Sequence, residues 1–135
     1  MILTLALLAL PQIATRSCTF VEGIGADFAK LGVASTDRKG SLPKHISLQY
    51  ENNVLVRILI FQEGCRTSKG ISIGDTEREV STLYGEAKKT KPYSLTGGAP
   101  VPVGKPGDWI YEYPGVSFLT HEGKVVEFAI QAIQP

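Results

Sequence analysis

The residues best placed to do chemistry begin with a glycine-led run, "GISIGDTEREVSTLYG" (Gly70–Gly85). Glycines ahead of a helix let backbone amides close on a phosphate. A dinucleotide loop needs G-x-G-x-x-G, and Gly70 and Gly74 are too widely spaced for it, with no third glycine in place. Gly23 and Gly25 start correctly, but Gly32 follows too late. A Walker loop ends in G-K-[ST]; the stretch from Gly98 to Lys105 is too long, and Pro106 stands where the magnesium-binding hydroxyl belongs. The run reads instead as a capped helix. Thr76 is the N-cap and Glu79 completes a capping box. Asp75 and Glu77 put negative charge where the helix dipole is positive. Val80, Leu83 and Tyr84 form a buried stripe, and Gly85 ends the helix.

The other reactive residue types are sparse. His45 and His121 lack a second His, Cys or carboxylate at ligand spacing, so no metal site is expected. No G-x-S-x-G elbow appears. Asp108, Glu112, Glu122 and Glu127 could meet on a sheet, but paired-carboxylate catalysis needs a raised pKa in a cleft, which sequence does not reveal. No catalytic residue and no cofactor is assigned, and the chain reads as a non-enzyme. Trp109, Tyr111 and Tyr113 alternate along "DWIYEYPG" and share one face. That row suits a core beneath a helix, or a partly exposed platform for a small molecule or glycan. Cys18 and Cys65 would, in an oxidising compartment, close a long loop worth about 4 kcal/mol on the chain-entropy model; two unrelated thiols are the other reading.

The elements that position these residues follow from composition and pattern. The chain of 135 residues is 43% hydrophobic and 20% charged, enough apolar material for one folded domain. Its net charge of +1 favours neither nucleic acid nor an anionic membrane. Lys88, Lys89 and Lys91 read as a solvated turn. The unbroken apolar run Ile2–Leu10 is short of the about 20 residues a bilayer requires, and no transmembrane span is expected. It fits the hydrophobic part of a secretory leader, although no Lys or Arg precedes Arg16; an N-terminal helix or strand is the alternative. The division expected is a leader over residues 1–17 and a single domain over 18–135, placed outside the cytoplasm.

Within the domain, "ISLQYENNVLVRILI" (Ile46–Ile60) lies over "VSFLTHEGKVVEFAI" (Val116–Ile130) without a gap. Apolar residues coincide at Ile46/Val116, Leu48/Phe118, Val56/Val126, Ile58/Phe128 and Ile60/Ile130, and Asn52-Asn53 falls on Glu122-Gly123. Period-two alternation around a tight turn marks a β-hairpin in each copy. A glycine-led segment precedes each one: the Gly70 run in the second half, read as a helix, and Gly23–Ser35 in the first, shorter and less regular, which takes the helix position without the pattern of a full helix. The stretch from Lys91 to Gly107, rich in Pro and Gly, reads as a loop without regular structure. The fold expected is α+β, an antiparallel sheet with helices packed on one face, built from two degenerate αββ-type repeats over about 20–64 and 68–133. If the coincident apolar residues face the helices, the outer face carries Leu55, Arg57, Leu59, Phe61, Leu119, Val125 and Ala129, with His121 and Glu127 beside them. That is too apolar for a wet surface. Either the N-terminal segment or the proline-rich loop covers it, or it docks a partner protein or a second copy of the chain.

In order, Gly70, Gly74, Asp75, Thr76, Val80, Tyr84 and Gly85, then Trp109 and Tyr111, then Phe118, Gly123, Lys124 and Val125 resemble the pattern of the β-lactamase-inhibitor-like superfamily, which includes the SmpA/OmlA outer-membrane lipoproteins. The resemblance covers the C-terminal half; the first half agrees through its hairpin alone. It implies a secreted or periplasmic helix-on-sheet module that binds protein and takes no cofactor. Thr15-Arg16-Ser17 departs from the residues expected before a lipidated cysteine, so an anchor on Cys18 is weakly supported. The function expected is a non-enzymatic, inhibitor-like or envelope-assembly-like protein-binding module; the alternative is small-molecule or glycan binding through Trp109, Tyr111 and Tyr113.

Overall fold

The computed structural model describes residues 18–37, 42–96 and 99–133, and the leader expected over residues 1–17 lies outside them. An open six-stranded antiparallel sheet forms the centre, in the order β4 (Ile46–Glu51), β5 (Val54–Ile60), β12 (Lys124–Gln131), β11 (Val116–His121), β10 (Asp108–Tyr113) and β7 (Lys88–Thr90). Three small pairs accompany it: β1 (Thr19–Phe20) parallel to β6 (Arg66–Thr67), β2 (Gly25–Ala26) with β3 (Ala29–Lys30), and β8 (Tyr93–Thr96) with β9 (Ala99–Pro102). The described residues hold one α-helix, α1 (Glu77–Tyr84), and one 3₁₀ turn, Ser35–Asp37. The described residues are thus mostly β with a single short helix.

Both expected hairpins form. Asn52 and Asn53 (φ 51° and 65°) and Glu122 and Gly123 (φ 49° and 81°) have positive φ at both central positions, as the type I′ turn requires. Each hairpin also breaks register once, at aligned positions. Gln49 and Tyr50 oppose Arg57 and Leu55, which leaves Val56 as the extra residue. Leu119 and Thr120 oppose Glu127 and Val125, which leaves Val126. A β-bulge reverses the facing of everything beyond it on that strand.

Aligned positions also make the same backbone bonds. The Gly32 amide donates to Leu55 and the Gly74 amide to Val125, both at 2.8 Å. Leu55 and Val125 donate back to Val33 and Asp75, and Ser35 and Glu77 donate to Asn53 and Gly123. Phe61 donates to the His45 carbonyl as Gln131 does to Gly115. Gly115 admits no side chain, since its φ is 81° and a Cβ there would lie 2.5 Å from the Gly23 amide nitrogen.

The core lies between the sheet and α1 with the β1–β3 segment. Phe20, Phe118 and Phe128 are fully buried and meet edge-on or tilted at about 6 Å, with Phe28 against Phe20. Helix α1 starts as its sequence dictates: Thr76 Oγ1 accepts the Glu79 amide, and the Glu79 carboxylate accepts the Thr76 amide. Cys18 and Cys65 are joined by a disulfide across 47 positions, just ahead of the paired strands β1 and β6.

Four expectations are corrected. Gly23–Ser35 is not helical: Gly23, Gly25 and Gly32 all take positive φ, and a tight β2–β3 hairpin buries Ala26, Phe28 and Ala29 as a plug under the sheet. The Lys91–Gly107 stretch contains the antiparallel pair β8–β9, because in a two-stranded pair each strand has an open edge where proline is tolerated. Lys88 and Lys89 belong to edge strand β7, paired to β10, and not to a turn. Leu83 is 45% exposed, since the helix rests on Val80 and Tyr84 only.

Candidate functional site

The outer face of the six-stranded sheet is built by alternation. In β5 the residues opposite the buried Ile58 and Ile60 are Arg57 and Leu59; in β12 they are Glu127 and Ala129. In β11 Ser117, Leu119 and His121 alternate with the buried Val116, Phe118 and Thr120. In β10 Asp108, Ile110 and Glu112 alternate with Trp109, Tyr111 and Tyr113. Registers Leu59–Ala129, Ser117–Ala129, Leu119–Glu127 and Ile110–Leu119 bring these side chains into one patch.

Leu55 and Val125, expected on this face, are not there. They are 2% and 1% exposed and pack in the core, because the bulges at Val56 and Val126 reverse the alternation. Phe61 is exposed past the end of β5, its ring centre 5.9 Å from that of His45 in an edge-on arrangement. Arg57, Leu59, Leu119, His121 and Glu127 share the face as expected. The face also holds Ser117, which follows from the alternation of β11, and Ile110, Thr90 and Pro92, which are legible only once the sheet order is known.

The patch is concave. Small residues Ser117 and Ala129 floor a groove of about 190 Å³, rimmed by Arg57, Pro92, Ile110, Leu119 and Glu127. Its polar groups are poorly served. Arg57 Nε is buried without a hydrogen-bond partner, and no ion pair among the described residues joins Arg57 to Glu127. Thr90 pairs with Ile110, so its side chain lies on the same face, and Thr90 Oγ1 is likewise buried and unpartnered. Burial pushes the Glu127 carboxyl above its usual range, and the Arg57 charge only partly offsets this. Buried polar atoms without partners are rare in folded proteins.

At the end of the face, His121 Nδ1 lies 2.5 Å from Asp108 Oδ1, and Nε2 lies 3.8 Å from Glu122. The Lys105 backbone amide, then His121, hold the Asp108 carboxyl below its usual range. This contact fixes the Lys105–Asp108 turn; no described hydrogen bond links His121 to a hydroxyl or thiol. Among the described residues no group of three or more His, Cys, Asp and Glu could hold a metal.

The aromatic row faces the helix. Tyr111 donates to Glu77 at 2.6 Å and Tyr113 to the Gly85 carbonyl at 2.8 Å, and both rings are buried. Trp109 is half-exposed, with Lys91 and Lys89 ammonium groups 4.0 and 4.3 Å from its ring centre. Tyr84 donates to Glu22 and accepts from the Thr67 hydroxyl, which ties the end of α1 to the β1 segment.

Comparison with models of known protein families, with curated proteins and with solved structures gave no match.

Proposed function

We propose that this protein is an extracytoplasmic, non-enzymatic binding module that captures another protein on the outer face of its sheet. In this reading the chain is assembled from two degenerate copies of one hairpin unit, joined at their starts by Cys18–Cys65. The observation that carries the proposal is the groove over Ser117 and Ala129, where Arg57 Nε on the rim is desolvated without a partner. A main-chain carbonyl or a carboxylate from a partner would satisfy the arginine, while an apolar side chain filled the groove between Ile110 and Leu119. The disulfide supports a location outside the cytoplasm, because such bonds persist in oxidising compartments. No helix among the described residues is long and apolar enough to cross a membrane.

The test is affinity capture from an envelope fraction with matched variants. Leu119→Glu should abolish capture of a stoichiometric protein partner. Leu83→Glu, on the exposed side of α1, should leave it intact. Equal capture by both variants, or loss with both, overturns the assignment of the face. The glycan reading would require Trp109 emission to shift on a saccharide panel, with Lys89 and Lys91 displaced from its ring.

A further inference from the structure

We propose that the outer edge of β4 pairs with β4 of a second copy of this chain, in antiparallel register about Leu48. The Phe61 amide bonds the His45 carbonyl, so His45, Ser47 and Gln49 point their backbone groups at β5. The amides and carbonyls of Ile46, Leu48 and Tyr50 therefore point away from it. Among the described residues no strand lies on that side.

Three observations say what takes the place. First, the aligned edge of the other hairpin is occupied: β10 pairs along β11, setting Tyr113, Tyr111 and Trp109 opposite Val116, Phe118 and Thr120. The hairpin type thus accepts an antiparallel strand with large side chains on its inner face. Second, the two edges of the sheet differ in protection. Edge β7 is three residues long, carries Lys88 and Lys89, and is followed closely by Pro92, all devices that discourage further pairing. Edge β4 has six residues and no Lys, Pro or Gly. Third, β4 complements itself. Paired about Leu48, each Ile46 stands opposite a Tyr50, Leu48 opposite Leu48, and Ser47 opposite Gln49, which are favourable cross-strand combinations. Glu51, the one charge in the strand, comes beside Lys44 and His45 of the second copy, twice over. The partner is a second copy because that register matches apolar to apolar and acid to base without a like-charge contact.

Sedimentation of the intact, disulfide-bonded chain up to about 1 mM, the range of weak specific dimers, reads the result. The wild type should be dimeric. Leu48→Pro and Leu48→Ala both remove the side chain, but only proline removes the outward amide; it leaves the β4–β5 ladder untouched, since that amide does not bond β5. Leu48→Pro should be at least tenfold weaker in self-association than Leu48→Ala. Should the proline variant fail to fold, the double change Ser47→Lys with Gln49→Lys places lysines opposite one another and should also give a monomer. A wild type that stays monomeric, equal association by the proline and alanine variants, or a dimer dissolved by Leu119→Glu but by neither β4 change overturns the proposal. These outcomes are separate from the capture test, which reads Leu119 and a different protein.

Discussion

The β11–β12 hairpin has α1 across its inner face and β10 along its edge, whereas the aligned β4–β5 hairpin meets a 3₁₀ turn and has an open edge among the described residues. The hairpins themselves agree in turn, bulge and the backbone bonds that dock a glycine turn onto them. The difference therefore originates upstream. Thr76 caps α1 and Glu79 returns the bond, while the aligned positions hold Ala34 and Asp37. Alanine has no oxygen with which to satisfy an orphan amide, and the chain takes one tight turn instead of a helix. Similar hairpins thus differ in the helix above them through the capping residues that precede them.

The largest effect tests the bulges that both hairpins share. Leu55→Asp or Val125→Asp buries a charge in the core at a cost on the order of 5 kcal/mol, comparable with the whole stability of such a domain. Leu119→Asp, on the outer face, should remain within about 1 kcal/mol of the wild type. Urea unfolding at neutral pH compares them. Equal stability of Leu55→Asp and Leu119→Asp would mean that the alternation does not reverse at Val56.

Next is the bond between the two halves. The paired change Cys18→Ser with Cys65→Ser should lower stability by about 4 kcal/mol. Amide exchange should rise first in the β1–β3 segment, which lacks a helix of its own, and last in β11 and β12, whose Phe118, Phe128 and Ile130 are fully buried. Uniform loss of protection would show that the halves open together.

These two tests also bear on what the sequence made legible. Both hairpins were readable from period-two alternation, the helix from its capping box, and the cysteine pair from the compartment argument. The bulges were not read, although each leaves a trace: Val54-Leu55-Val56 and Val125-Val126 put apolar residues side by side where strict alternation allows one. That is why Leu55 and Val125 were assigned to the wrong face. The groove was half legible, since Arg57, Leu119 and Glu127 are local to the hairpins. Ile110, Thr90 and Pro92 join them only through the pairing of β10 and β7, which no local pattern encodes.

A smaller effect separates the two glycine turns. Thr76→Ala should cost about 1 kcal/mol by thermal unfolding, through loss of the cap. Ser35→Ala, in the 3₁₀ turn, should change stability by less than about 0.5 kcal/mol, because its bond to Asn53 is made by the backbone. Equal losses would remove the cap as the cause of the asymmetry.

The smallest effect compares one carboxylate from each half. Burial would raise Glu22, but hydrogen bonds from the Ser68 and Tyr84 hydroxyls outweigh it and leave the group below its usual range. Burial raises Glu127, and Arg57 does not compensate. The signs of the two linkages are therefore opposite. Glu22 contributes stability above the unfolded carboxylate range, and that contribution is lost as pH falls through its lowered folded value. For Glu127 the favourable contribution is present below the unfolded range and is lost as pH rises through its raised folded value. At neutral pH Glu22→Gln should therefore destabilise, and Glu127→Gln should stabilise, each by about 0.5 kcal/mol after solvent screening. Both differences should shrink when unfolding is repeated near pH 3, where the wild-type carboxyls are largely protonated. A partner carboxylate paired with Arg57 would offset its charge and push Glu127 higher still, so the gain from Glu127→Gln should grow in the complex. A gain that is unchanged on binding would rule out a partner carboxylate at Arg57.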